Sequence, residues 1–173
     1  MTPAALIGTL TRPWAHGAHA ALAGAVFDAP VVLDGLALRG FDLSGAVFRQ
    51  GLSARGTRFL GLSWFHGAQV TGALDLTRAH CRSDLRLDRL AADRLTLTEA
   101  CFEGVLTLDH ARLGTLSGRD CLCLANLSLA GTRIRGDADL SGAAIMGGLW
   151  AEGAELGRLD LRGAEIDGRR QGV

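Results

Sequence analysis

A repeat of 10 or 11 residues runs from Ala20 to Gly168 and limits the fold more than any other feature of the chain. Each unit carries apolar side chains at offsets 0, 2, 5 and 7; fourteen units give 56 such positions, of which 52 are Ala, Val, Leu, Ile, Phe or Cys. The exceptions are Thr57, Ser63, Gly118 and Thr132. Offsets 0 and 2 lie on one side of an extended segment, whereas a helix needs spacings of 3 and 4. The pattern therefore predicts short strands separated by regular bends.

Two consecutive units span 21 or 22 residues and supply four extended steps, which is enough to close one four-sided coil. Because such coils stack through backbone hydrogen bonds, equivalent positions should form columns of similar side chains. One such column reads Leu38, Phe59, Cys81, Phe102, Cys123, Ile145 and Ile166. With strands ~4.8 Å apart, about seven coils make a rod of roughly 34 Å. The sequence therefore predicts an all-β, single-domain quadrilateral β-helix, that is, a β-solenoid.

The repeat also sets the domain boundaries. We expect an N-terminal cap segment at residues 1–19 with Trp14 over the first coil, the solenoid at 20–168, and a C-terminal tail at 169–173. Glycines such as Gly45 and Gly142 fit tight turns at the corners, because glycine tolerates positive φ. Five corners have other residues, and there we expect a different turn type. They are Arg78, Arg89, Glu99, His110 and Asp120.

Composition gives an expected location and cofactor content. No apolar run approaches the roughly 18 residues of a membrane span, and the first residues lack the basic region of a secretory signal. Four cysteines without CxxC spacing fit a reducing compartment, with Cys121 and Cys123 as small core hydrophobes. We therefore expect a cytoplasmic protein that needs no cofactor, metal or membrane.

Several units resemble the repeats of the pentapeptide-repeat proteins, in which a small residue, a polar residue, Leu or Phe, and another polar residue are often followed by Gly. Good copies are Phe41-Asp42-Leu43-Ser44-Gly45, Ala138-Asp139-Leu140-Ser141-Gly142 and Leu159-Asp160-Leu161-Arg162-Gly163. The resemblance covers about residues 20–168 with degenerate repeats, and it implies a right-handed quadrilateral β-helix. The best-studied members mimic DNA and bind type II topoisomerases such as DNA gyrase, so the resemblance offers topoisomerase binding or protection as an alternative function.

The charge pattern weakens that alternative. Because B-DNA carries about one negative charge per ~1.7 Å, a mimic about 34 Å long needs on the order of 20 net negative charges, or half that on one face. The formal net charge of this chain is zero. The four faces sum to about −2, +2, −2 and −1, which is neither a phosphate-like ladder nor a basic groove for nucleic acid. We expect no direct nucleic-acid binding.

One face carries an unusual number of outward apolar residues, which are predicted to bind protein. They are Leu60, Leu62, Val105, Leu122, Leu124 and Met146, together with Cys101 and Ala144. A contiguous apolar strip on a monomer usually marks an interface. The alternative is that the extra residue of the 11-residue units tucks some of these side chains beneath a bulged corner. The simplest partner is a second copy of the chain, giving a homo-oligomer; a different protein is the next.

Two further surfaces are candidates for binding. Trp64 and Trp150 are predicted to point outward on another face, about four coils and roughly 19 Å apart, as a smaller second patch. Terminal coils leave unpaired backbone edges, so the last coil is a candidate for end-to-end pairing. Its apolar residues are Leu159, Leu161 and Ile166.

Catalysis is the rival class of function. His66, Asp88 and Asp109 fall on adjacent coils and could form a surface metal or hydrolytic site. His80 and Cys101 are neighbours too, but two ligands are fewer than zinc usually takes from protein. Because a convex rod lacks a cleft that excludes water, and no catalytic motif occurs with the right flanks, we expect a non-enzymatic protein with no catalytic residues.

Overall fold

A computed structural model describes residues 1–13, 15 and 17–172, so the predicted role of Trp14 lies outside the described residues. One helix, α1 (Pro3–Leu10), precedes a series of short parallel strands. The strands stack as a single-domain β-solenoid of about seven coils, which confirms the predicted fold class.

Most strands are two or three residues long, because the chain bends at each corner of the coil. In chain order they are β1 (His19–Ala21), β2 (Val26–Phe27), β3 (Val31–Val32), β4 (Ala37–Leu38), β5 (Gly40–Asp42), β6 (Val47–Phe48), β7 (Leu52–Ser53), β8 (Arg58–Phe59), β9 (Ser63–Trp64), β10 (Gln69–Asp75), β11 (His80–Cys81) and β12 (Leu85–Arg86). They continue as β13 (Ala91–Thr96), β14 (Cys101–Phe102), β15 (Leu106–Thr107), β16 (Arg112–Ser117), β17 (Leu122–Cys123), β18 (Leu127–Ser128), β19 (Arg133–Asp139), β20 (Ala144–Ile145), β21 (Leu149–Trp150), β22 (Glu155–Asp160), β23 (Glu165–Ile166) and β24 (Arg170–Gln171).

The strands form three parallel sheets that make four faces. Face 1 is the sheet β1-β5-β9-β12-β15-β18-β21-β24, and face 4 is the sheet β4-β8-β11-β14-β17-β20-β23. The third sheet covers two sides, because β10 pairs with β6 at its start and with β7 at its end. We call the side of β2 and β6 face 2 and the side of β3 and β7 face 3. Paired positions such as Ala20 and Phe41, or Phe41 and Ser63, are one coil apart, as the repeat predicts.

The core fills the inside of the coils, and the predicted inward register is confirmed. All inward positions from the second to the sixth coil are buried, and the exceptions are confined to the first and last coils. The buried polar exceptions are satisfied by hydrogen bonds: Thr57 Oγ1 donates to the carbonyl of Leu33 at 2.7 Å, and Thr132 Oγ1 donates to that of Leu108 at 2.6 Å. Because a bonded hydroxyl costs little on burial, two threonines fit an otherwise apolar interior.

The expectation of a different turn at the five non-glycine corners is wrong. Arg78, Glu99 and the other three have φ between 54° and 58°, close to the 60° of Gly56 at an equivalent corner. The stacking hydrogen bond is also kept, since the amides of Gly56 and Arg78 donate to the carbonyls of Thr77 and Thr98 at 2.8 and 2.9 Å. Left-handed backbone costs a non-glycine residue roughly 1 kcal/mol or more, which the stacked coils on either side offset.

The N-terminal end of the rod is covered by α1. Thr2 caps the helix, with its side-chain oxygen accepting from the amide of Ala5 at 3.2 Å, and Leu6 and Leu10 are fully buried against the first coil. The amide of Arg39 donates to the carbonyl of Leu10 at 2.9 Å, which ties the end of the helix to the solenoid. Helix and first coil therefore form one packed unit.

The other end differs from the predicted boundary at residue 168. Residues Arg170–Gln171 form β24, which pairs with β21 on face 1 and extends the solenoid into the predicted tail. The apolar residues of the last coil, Leu159, Leu161 and Ile166, are half-buried, with their inner sides packed on the core.

No helix in the described part of the chain is long and apolar enough to cross a membrane.

Candidate protein-binding surface

Face 4 and the corner that follows it hold the predicted apolar surface. Leu62, Leu124 and Met146 are exposed by 43%, 48% and 40%, and are among the few large apolar side chains that face solvent. Leu60, Val105 and Leu122 are half-buried, as are Cys101 and Ala144. Both readings of the sequence thus apply in part, since some side chains are tucked in and others project.

Charged residues divide this surface into two patches. The corner column reads Arg39, Leu60, Arg82, Glu103, Leu124, Met146 and Asp167 from the first coil to the seventh. On the flat part, Arg58 and His80 lie beside Cys101 and Leu122. We call Leu60 and Leu62 the near patch, and Leu122, Leu124, Ala144 and Met146 the far patch.

The sequence analysis missed the charged residues between the patches, although their offsets reveal them. Arg82 and Glu103 occupy the same corner offset as Leu60 and Leu124. The Glu103 carboxylate accepts a hydrogen bond from His80 Nε2 at 2.6 Å. Arg82 has no acidic partner among the ion pairs of the described residues. One carboxylate oxygen of Glu103 therefore remains available to another cation.

The cysteines are all free thiols, and three of them are buried in the core. Burial raises the pKa of the Cys81 thiol well above its ordinary value, and it also raises the pKa of Cys101, with a smaller contribution from Glu103. The hydrogen bond with Cys121, together with burial, raises the pKa of Cys123. Because these three stay protonated at neutral pH, they behave as small hydrophobes and not as nucleophiles.

The two tryptophans lie on face 1 and do not form one cluster. Trp64 is in β9 and Trp150 in β21, with β12, β15 and β18 between them. Both are half-buried, and the Trp64 ring packs edge-on against His19 with centroids 5.5 Å apart. Each indole nitrogen is buried without a hydrogen-bond partner among the described residues. Each tryptophan therefore shows solvent only part of its ring.

The structure brings His66, Asp88 and Asp109 to neighbouring coils but gives each carboxylate other partners. Asp88 is buried and accepts from Arg86 Nε at 3.0 Å, with His66 Nδ1 farther away at 3.8 Å. Asp109 accepts from the Ser128 hydroxyl and from the amide of residue 130. Within the described ranges, no three His, Cys, Asp or Glu side chains are grouped so that they could hold a metal ion.

Three acidic residues of face 3 are each matched by an arginine. Asp75 lies 3.7 Å from Arg55, Asp139 lies 3.7 Å from Arg119, and Asp160 lies 2.6 Å from Arg162. Uncharged Thr96 and Ser117 separate Asp75 from Asp139 in this column. Paired and interrupted carboxylates do not give the continuous negative field of a DNA backbone.

Comparison with known proteins identifies the repeats. Residues 33–80 match the family model described as pentapeptide repeats (9 copies), which covers the third and fourth sides of the first coil, the second coil and most of the third. No curated protein matches the chain. The match falls within the solenoid, and its units continue with the same register to the last coil. The comparison thus identifies residues 33–80 as pentapeptide repeats.

Proposed function

We propose that this chain is a non-catalytic scaffold that self-associates through face 4, with a second copy of the chain as the partner. The β-solenoid fold fits a non-catalytic repeat protein. The observation that carries the proposal is the pair of patches on one side of the rod, with Leu62, Leu124 and Met146 projecting into solvent. Projecting leucine and methionine side chains on one surface favour burial against a partner.

The order of residues along the corner suits an antiparallel pair. A two-fold axis between the third and fourth coils would place Leu60 opposite Leu124 of the second copy, and Arg82 opposite its Glu103. The near patch of each copy would then meet Leu122 and Leu124 of the other, and Met146 would meet Arg39. The free oxygen of Glu103 would receive Arg82. Such an isologous contact is self-complementary and closed, as most homodimer interfaces are.

The dimensions also suit a modest interface. A face about 34 Å long and about 17 Å wide, from five residues at ~3.3 Å each, offers roughly 600 Å² on each copy. The total of about 1,200 Å² is at the lower end of stable protein interfaces. We therefore expect a dimer that dissociates on dilution.

The test is the solution mass by light scattering after size exclusion, at several concentrations, with circular dichroism to confirm the β fold. Wild type is expected to approach twice the 18.1 kDa of one chain. The double variant Leu62→Asp, Leu124→Asp is expected to be a folded monomer. The matched control is Val32→Asp, which changes an apolar residue of face 3 that is 53% exposed and should leave the dimer intact.

Charge exchange makes the antiparallel arrangement specific. Arg82→Glu or Glu103→Arg alone should weaken the dimer, because like charges then face each other, and the two changes combined should restore it. A monomeric wild type would refute self-association. Dissociation by Leu161→Asp, with no effect of the face 4 variants, would move the contact to the last coil and refute the lateral dimer.

A further inference from the structure

Face 2 carries a groove that lies on the side of the rod opposite face 4. It holds about 500 Å³ and extends from β10 to β19. Its floor is the strand backbone at Val70, Ala92 and Leu113, whose side chains point into the core and are at most 8% exposed. The groove exists because Ala91 is the outward residue of β13, between the longer Gln69 of β10 and Arg112 of β16. A short side chain in a column of long ones leaves an apolar hollow.

Arginines stand along one side of this hollow. Arg112 and Arg133 are direct neighbours on β16 and β19, one strand spacing of ~4.8 Å apart at the backbone, and Arg135 follows on the same strand. Glu155 pairs with Arg133 at 3.2 Å. Among the described ion pairs, Arg112 and Arg135 have no acidic partner, whereas Arg49, Arg55 and Arg78 each have one. Like charges directly opposite each other on neighbouring strands are unfavourable unless an anion lies between them.

Two more cationic or titratable side chains border the same place. Arg89 and His110 lie with Ala91 and Arg112 around an adjoining hollow. Both have left-handed backbone, at φ 56° and 58°, where the equivalent corners of other coils have glycine. Glycine would suffice for the turn at these two corners, so the turn itself does not account for the Arg89 and His110 side chains. The one carboxylate of the groove, Asp93, already accepts from the amide of Gly72 at 2.9 Å.

From this arrangement we propose that the groove binds a phosphorylated small molecule, with its phosphate between Arg112 and Arg135 and a flat apolar body against the Ala91 methyl group and the strand backbone beside it. The guanidinium group offers paired donors that fit phosphate oxygens, and a dianion balances two unpaired arginines. The Ala91 methyl group and the aliphatic parts of the arginine side chains add apolar contact that inorganic phosphate cannot use. Because face 2 is opposite face 4, the site stays open in the proposed dimer, and its test is independent of self-association.

The probes are phenyl phosphate and inorganic phosphate, titrated into ¹⁵N-labelled protein at physiological salt and followed by the amide shifts of Ala91, Ala92, Leu113 and Ile134. Phenyl phosphate is expected to bind saturably with a Kd of about 1 mM or lower, and inorganic phosphate at least about fivefold more weakly. Saturation and localisation to face 2 distinguish a site from general attraction to a cationic surface.

Three variants sharpen the result. Arg112→Gln with Arg135→Gln should weaken phenyl phosphate binding about tenfold or more, which is about 1.4 kcal/mol. Ala91→Leu fills the hollow without changing charge and should weaken phenyl phosphate binding while leaving the weak binding of inorganic phosphate. Arg55→Gln with Arg119→Gln, which also removes two positive charges but from the ion pairs of face 3, should have no effect on either probe.

Three outcomes would overturn the proposal. The first is the absence of saturable shifts with phenyl phosphate. The second is equal affinity for the two probes, which would leave the hollow at Ala91 without a role. The third is an equal loss of binding in the face 3 double variant and in Arg112→Gln with Arg135→Gln, which would reduce the effect to net charge.

Discussion

The first and last coils of this rod differ in how their apolar interiors are covered. At the N-terminal end, α1 places Leu6 and Leu10 over the first coil, where both are fully buried. At the C-terminal end, the seventh coil keeps Leu159, Leu161 and Ile166 half-buried, and β24 continues the sheet on one face. In a stack whose members contact only their neighbours, the stability of an end coil depends on what covers it. We therefore expect the first coil to resist local unfolding and the last coil to fray.

The largest loss of stability is expected from a charge placed in the middle coils, and the changes at the two ends can be compared with it. Leu97→Arg places an unpaired charge in the closed interior of the middle coils and should cost several kcal/mol, enough to unfold the rod. Thr96→Arg, one residue away on the outer side of face 3, should change the free energy of unfolding by less than ~0.5 kcal/mol. Urea denaturation followed by circular dichroism measures both, and equal tolerance of the two changes would refute the register.

Truncations at the two ends test the comparison directly. Leu10→Ala removes a fully buried side chain of the cap and should cost ~2–4 kcal/mol, because a cavity is left between helix and coil. Leu161→Ala removes a side chain that is already half-exposed and should cost about 1 kcal/mol. The same urea experiment compares them. Equal costs would mean that the last coil is covered as well as the first.

Hydrogen exchange should show the same asymmetry without mutation. The amides of Leu22 and Leu33 in the first coil donate to the carbonyls of Asp42 and Ser53 at 2.8 and 2.7 Å. The amides of Glu155 and Glu165 in the last coil make bonds of similar length, both 2.8 Å, to Thr132 and Ala143. Because local opening and not bond length sets exchange, the last-coil amides should exchange about tenfold faster. Equal protection, measured by NMR on the monomeric variant, would contradict fraying from the C-terminal end.

The smallest effect concerns one carboxylate of the last coil. Hydrogen bonds from the Arg162 side chain and amide lower the pKa of Asp160 to about 2. A lowered folded-state pKa gives stability that is present above the ordinary carboxyl pKa and is lost as the pH falls toward 2. Arg162→Gln should move the pKa of Asp160 back toward its ordinary range, as an NMR pH titration would show. Asp75, with its more distant arginine, is the control carboxylate.

Much of the fold follows from the sequence because the inward positions repeat with one spacing. Burial of Phe59, Cys81 and Phe102 in one column needs only that spacing and the alternation of a strand. The turn at Arg78 and Glu99 was not predictable from residue type, because the stacking hydrogen bonds of neighbouring coils impose left-handed backbone on residues that seldom adopt it.

The binding surfaces were harder to predict, for a different reason. Leu60 and Leu62 lie two residues apart at the same corner, yet Leu62 is exposed and Leu60 is half-buried. The backbone path at the corner, which periodicity does not give, decides this difference. The groove beside Arg112 depends on the difference in length between Ala91 and its neighbours, which a count of charges on each face averages away. The repeat period predicts the stacked strands and the core well. Grooves and projecting side chains arise where a unit differs from the average unit.

Because one repeat unit is half a coil, the face on which an outward residue lies depends on how many units precede it. Removing one unit of 10 or 11 residues would keep every later apolar side chain inside, since both halves of a coil share the same inward offsets. It would nevertheless turn every later outward residue to the opposite face. Arg112 and Arg133 would leave face 2, and Leu124 and Met146 would leave face 4. Only insertions and deletions of whole coils preserve the surfaces, so the length of such a chain can change freely in steps of 21 or 22 residues and in no others without scrambling what it binds.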